Sequence, residues 1–492
     1  MGRELTTARI FAERTARANW NSTFRSMDFW AKAEKRNIPQ GMIDLAKEAR
    51  YFIRKYEAFF EPVEQVLDPE EKDEFTRATI LHSALGTALE EWDTIRHALE
   101  QRENDRYDSI LAELDTLSVE CLSPLFGRER FKNGGVYTYI HKLFDIRRFA
   151  FSSTPLIGAP YDALNAPEAW LAIPHETGHY VFWNGTNTFE SFSRFYFELQ
   201  KYVLQVLEIA IQKRVTGNLF RRKGLAFQTW MNWIDEIFAD VFGTLVAGPA
   251  YAWSMQSNLR AQFSLRDLYH SHEEPEHPDP FIRPFIHISA LREMANVSEG
   301  DLKYQLVEEA DSLKESWEKG WFDTDVDGQI KKLPTPNNIG SMRDILDNEV
   351  PWIVKTVLNT SLGENLPKPL IEYFKEGVLY NQDFHGKCVT TAQQIANGEK
   401  VQVSSPLEKS VAAQLAIVQG AEPVYVHQVL GYGGKEDEPE ANEELDARFN
   451  EFIANVTQGK TPKEQLDGWR RVLGYSLMDQ AFHWHTHPHY HG

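Results

Sequence analysis

"IPHETGHYVF", residues 173–182, sets two histidines four positions apart, with a glutamate directly after the first. Histidines at i and i+4 share one face of an α-helix, about one turn apart, so His175 and His179 can reach a single ion. Glu176 then projects beside that ion, where it can take the proton of a zinc-bound water whose pKa the metal has lowered. A pattern fixed at three of five positions also arises by accident in a chain with 16 histidines, so the flanking sequence has to decide. Asn165 can cap a helix here and Pro167 suits its first turn. Trp170, Leu171, His175, Gly178, His179 and Phe182 fall on one broad face of it. Pro174, which lacks a backbone donor, should kink this helix or mark a later start for it.

A tetrahedral zinc site needs a third protein ligand and leaves its fourth position to water. "NWIDEIFADVFGTLVAGPAYA", residues 232–252, offers Glu236 and, one turn on, Asp240, in the pattern E-x-x-A-D-x-x-G. Glu236 would complete a His, His, Glu set, and Asp240 on the same face could accept the N–H of a ligand histidine. The other reading is an amphipathic helix with solvated acids. The surrounding Trp233, Ile234, Ile237, Phe238, Val241 and Phe242 argue that these carboxylates have partners. A third constellation, "HPDPFIR" at 277–283, places Arg283 six positions after His277.

H-E-x-x-H, then E-x-x-A-D-x-x-G, then H-P-x-x-x-x-R, in this order, resembles the gluzincin metallopeptidases, in particular the family of the CAAX prenyl endopeptidases and their bacterial heat-shock relatives. The resemblance covers residues 165 to 295, about a quarter of the chain. It implies that His175, His179 and Glu236 bind Zn2+, that Glu176 is the general base, and that Asp240 supports the ligands. His277 and Arg283 would steady the oxyanion, with Tyr251 in reserve for that role. The implied fold is mainly α (α+β), a zincin-like helical core with a small β-sheet next to the zinc-binding helix, and the implied partner is a peptide or protein substrate. Two alternatives stay open: a zincin fold used as a binding or regulatory module around a non-catalytic metal, and an amidase acting on a non-protein amide. Thr177 stands where leucine is common in the family. Its best-known members lie in membranes, whereas this chain has no apolar run of the ~18 residues that a membrane span requires.

At 492 residues, 42% hydrophobic and 12% aromatic, the chain can bury more than one core. A net charge of −20 argues against nucleic acid or anionic lipid as a general partner. Two cysteines exclude a disulfide framework or a thiolate cluster. With no apolar signal segment at the start, a cytoplasmic location is expected.

Residues 1–128 read as an N-terminal helical region, 129–295 as the metallopeptidase core and 296–492 as a C-terminal helical region. Alternating aromatic and β-branched runs within 134–160 predict strands just before the zinc helix, and one apolar stripe predicts a helix over 189–214. "DTDVDG" at 323–328 imitates a calcium loop, but Pro334 occupies the twelfth position, so it reads as a polar turn. The acidic stretch 435–446 reads as a solvated loop. His483, His485, His487, His489 and His491 alternate along the tail and could chelate a transition metal.

Overall fold

A computed structural model describes residues 15, 18–19, 21–31, 38–63, 77–131, 135–149, 151–185, 194–198, 200–201, 228–262, 277–321 and 345–432. The segment 323–328, the acidic stretch 435–446, the histidine-rich tail and most of the helix expected over 189–214 lie outside the described residues. The protein is mainly helical, with a small three-stranded sheet. In chain order the elements are α1 (Gln40–Val63), α2 (Arg77–Arg102), α3 (Asp105–Phe126), β1 (Tyr137–His141), β2 (Asp145–Arg147) and β3 (Leu156–Pro160). Two 3-10 turns, Tyr161–Asn165 and Pro167–Leu171, lead into α4 (Ala172–Asn184). Then follow α5 (Ile234–Gln262), α6 (Arg283–Val297), α7 (Gly300–Trp321), α8 (Val350–Asn359), α9 (Leu370–Lys375), α10 (Gln382–Ala396), α11 (Pro406–Val418) and α12 (Pro423–Leu430).

Central strand β3 runs parallel to β1 and antiparallel to β2. The turn joining the two outer strands crosses the face of Gly158: a Cβ there would lie 2.9 Å from both His141 Cβ and the Leu143 carbonyl, and closer still to Asp145. Side chains alternate across a strand. Ile146, Ile157 and Ala159 accordingly join one buried cluster, while Tyr139, Phe149 and Leu156 join a second one built on the helices before residue 100. The first cluster continues from Leu111 on α3 to Val426 on α12, so α3 and the helices after 300 share a core with α4, α5 and α6.

Every residue of α4 from Ala172 to Phe182 is buried, as expected of a helix enclosed on all sides. Asn165 provides no cap, and the α-helix starts later than residue 167, at Ala172. Pro174 thereby falls in the first turn, where a backbone N–H has no partner within the helix, and causes no break. α4 packs most extensively on α5. Their closest approach is at Gly178, where a Cβ would sit 2.7 Å from Ala239 Cα and 3.1 Å from Ala239 O. This contact between two small residues sets the spacing between His175 and His179 on one helix and Glu236 and Asp240 on the other. Replacing Gly178 by Ala is therefore expected to cost about 1–3 kcal/mol of stability and to weaken any metal held between the helices. Denaturant unfolding and metal titration check it, and parent-like values in both would show that the helices can part freely.

α5 bends at Gly248 (φ 62, ψ −145), just before Pro249. The missing Pro249 N–H would have served the Leu245 carbonyl four residues back; Tyr380 N donates to it instead, at 3.0 Å. Along a straight helix Tyr251 would stand about 16 Å from Asp240. The bend folds it back, and its ring lies against Gly243, where a Cβ would be 2.6 Å from Tyr251 Cζ.

Candidate metal centre

His175, His179 and Glu236 form a buried group whose ligand atoms all lie within 4.8 Å of one another. His175 Nε2 and His179 Nε2 face each other at 3.2 Å, and each lies 3.4 Å from a Glu236 oxygen. The opposite nitrogens meet carboxylates: His175 Nδ1 is 3.0 Å from Asp240 Oδ1, and His179 Nδ1 is 2.8 Å from Asp235 Oδ1. A carboxylate only accepts, so both Nδ1 atoms carry a proton, and in the neutral imidazoles both Nε2 lone pairs point inward. Two lone pairs and a carboxylate converging in a buried site repel one another unless a proton or a metal cation lies between them. Glu236 Oε2, buried and without a hydrogen-bond donor among the described residues, points the same way. The group therefore has the donors, the tautomers and the spacing to hold a metal ion.

Charges around the group follow from burial and from these pairs. Burial works to lower the pKa values of His175 and His179, but the facing carboxylates outweigh it and both are raised. Burial works to raise that of Glu236, yet His277 and His179 hold it well below the usual range. Asp240 is also held low against its burial, chiefly by the Arg283 guanidinium. Glu176 behaves differently: burial pushes it up to about 7, partly offset by His175 and His179 and reinforced by Asp145 and Glu236. A carboxyl poised near neutrality beside a group able to hold a cation can exchange protons at working pH.

His277 lies beside the group, with Nδ1 3.3 Å from Glu236 Oε1. Arg283 stands differently from its expected place. Its Nε and Nη2 donate to the two oxygens of Asp240 at 2.9 and 2.7 Å, while the nearest Glu236 oxygen is 4.0 Å away. Tyr251, a reserve for the oxyanion, likewise donates to Asp240 Oδ1 at 3.0 Å, on the Nδ1 side of His175. The reason is electrostatic: a fully buried carboxylate needs a counterion and donors, and these two side chains meet that need.

Three contributors were not legible from spacing. Asp235 is next to Glu236, hence on another face of a regular helix, and an acid in a first helical turn is ordinary for the helix dipole. Thr244 and His287 line the far side of Asp240, with Thr244 Oγ1 3.2 Å from His287 Nδ1 and His287 Nε2 4.0 Å from Asp240 Oδ1. Burial lowers His287 to about 4.

The loop before α6 carries a second shifted acid. Burial raises Asp279 to about 7, offset in part by the Phe281 N–H it accepts at 3.1 Å. Its folded-state pKa lies above its unfolded value, so the native protein binds the extra proton and loses stability as pH rises from about 4 to 7. Asp279→Asn keeps the acceptor and removes the charge. It should match the parent near pH 4 and exceed it by on the order of 2–4 kcal/mol at pH 8 in unfolding titrations; equal stability at both pH values would contradict the shift.

The chain matches no protein-family model, and no curated protein or solved structure is significantly similar to it. Among the described residues no helix is long and apolar enough to cross a membrane.

Proposed function

We propose that the protein is a zinc-dependent hydrolase of peptide bonds, of gluzincin type. The observation that carries this reading is the inward convergence of His175 Nε2, His179 Nε2 and Glu236, each histidine anchored from behind by a carboxylate. The acid placed directly after the first histidine is buried and poised near neutrality. A donor set of two imidazoles and one carboxylate suits zinc and leaves a coordination position open. Bound there, zinc supplies a water of lowered pKa and polarises the substrate carbonyl.

The chain's own residues divide the remaining work. Glu176 takes a proton and returns it to the leaving amine. His277, close to Glu236 and partly open, offers an N–H to the developing oxyanion. Arg283 and Tyr251 hold Asp240, which holds His175. Because burial keeps Glu176 at about 7, kcat/KM should fall as pH drops and the base becomes protonated; a cation beside it moves this acid limb below 7. A cytoplasmic location, expected from the sequence, is part of the same proposal. Incubating the protein with a peptide library, with and without a chelator, tests the reading. Cleavage that a chelator stops and zinc restores is expected, and cleavage indifferent to the chelator would contradict it.

A further inference from the structure

We infer that Trp183 is a positioning residue of the metal centre: its indole N–H holds the Asp235 carboxylate in the one orientation in which that carboxylate fixes His179. The inference rests on the metal-centre reading above and adds a residue that neither spacing nor motif marks.

Both oxygens of Asp235 are occupied. Oδ1 faces His179 Nδ1 at 2.8 Å, and Oδ2 accepts from Trp183 Nε1 at 2.9 Å. With one oxygen bound, this carboxylate, in the first turn of α5 and one-fifth exposed, could swing toward water. With both bound, its plane is set, and with it the direction of the His179 N–H. Trp183 follows His179 by one turn on α4, and its ring stacks on the imidazole with centroids 5.6 Å apart and planes 24° from parallel. The same indole therefore limits rotation of the ligand ring directly and fixes the carboxylate that orients it. The Arg148 guanidinium, from the segment just after β2, lies over the indole at 5.2 Å and ties it to the sheet.

The two ligand histidines are thus anchored by parallel but unequal means. Behind His175, Asp240 is fully enclosed and neutralised by Arg283. Behind His179, Asp235 is held by a neutral donor on the same helix as the histidine it serves, closing a triangle of His179, Asp235 and Trp183. A neutral holder leaves the Asp235 charge undiminished, which strengthens His179 as a donor to a cation. Tryptophan meets the requirement because it joins a flat face to a lone N–H donor.

The full-length chain is titrated with zinc in competition with a chelating indicator, using His179→Ala to measure metal bound elsewhere, including by the histidines near the C-terminus. Trp183→Phe keeps the face and removes the donor. It is expected to weaken zinc binding about tenfold in the parent and less than twofold when Asp235 is already Ala, because the indole acts through that carboxylate. The visible bands of the cobalt(II) form should change with Trp183→Phe in the parent and stay put in the Asp235→Ala background. If the phenylalanine variant does not fold, benzothienylalanine at 183, equal in shape and lacking the N–H, answers the same question. An equal effect in both backgrounds, or none in the parent, overturns the inference while leaving the metal centre standing. Parent protein that binds no zinc at this site overturns both.

Discussion

Replacing Glu176 by Gln is expected to remove hydrolysis by about 100 to 10,000-fold in kcat while zinc remains bound at one equivalent. The amide has nearly the shape of the carboxyl and lacks only its capacity to take a proton. Glu176 stands outside the converging group of His175, His179 and Glu236, so no ligand is lost. The metal-free variant should also be more stable than the parent above neutral pH. Burial raises the folded-state pKa of Glu176 to about 7 from an ordinary 4.5, so the parent loses stability as pH rises from about 4.5 to 7, a loss that is complete above neutral pH and that Gln does not suffer. Metal analysis, single-turnover kinetics and unfolding at pH 8 examine the three statements separately. Loss of zinc in Glu176→Gln would make this residue a ligand and overturn its assignment as base.

Removal of the Arg283 guanidinium is the second large effect, and its character is set by the structure. A free oxyanion donor would lower kcat alone. Arg283 instead occupies both oxygens of a fully enclosed Asp240, which also faces the His175 N–H and the Tyr251 hydroxyl. Breaking one side of a buried ion pair leaves a stranded charge and typically costs about 3–5 kcal/mol. Arg283→Met should therefore lower stability on that scale and weaken zinc binding as well, because His175 loses its fixed anchor. Asp240→Asn added to it should recover part of the stability, since no charge is then stranded. Arg283→Met within about 1 kcal/mol of the parent would show that Asp240 is satisfied by its other donors.

How much of this was legible in the sequence depends on whether a feature lives within one helix or between helices. The i, i+4 histidines, the strands before them and the mainly helical architecture follow local periodicity, and the fold bears these out. The pattern E-x-x-A-D-x-x-G marked two acids, but the reasons for its small residues are tertiary. Ala239 must be small because Gly178 of α4 meets it, and Gly243 because the Tyr251 ring folds back onto it across the Gly248 bend. Asn165 does not cap the helix because it closes one 3-10 turn, and a second, Pro167–Leu171, intervenes before the α-helix begins. The spacing of Arg283 from His277 suggests a donor to substrate but says nothing of the carboxylate it faces, which is Asp240. The part played by Asp235 depends on where α4 brings His179 and Trp183, which no spacing within residues 232–252 reveals.

The central claim is that His175, His179 and Glu236 hold one catalytic zinc. Zinc per chain, measured after identical chelator washing for the parent and for His175→Ala/His179→Ala, tests it most directly, because any metal on the C-terminal histidines is common to both. One equivalent is predicted to separate them, with X-ray absorption of the parent showing nitrogen and oxygen neighbours at about 2.0–2.2 Å and no sulfur, and with hydrolysis lost in the double variant. Equal zinc in the two proteins, or undiminished hydrolysis without these histidines, would contradict the account.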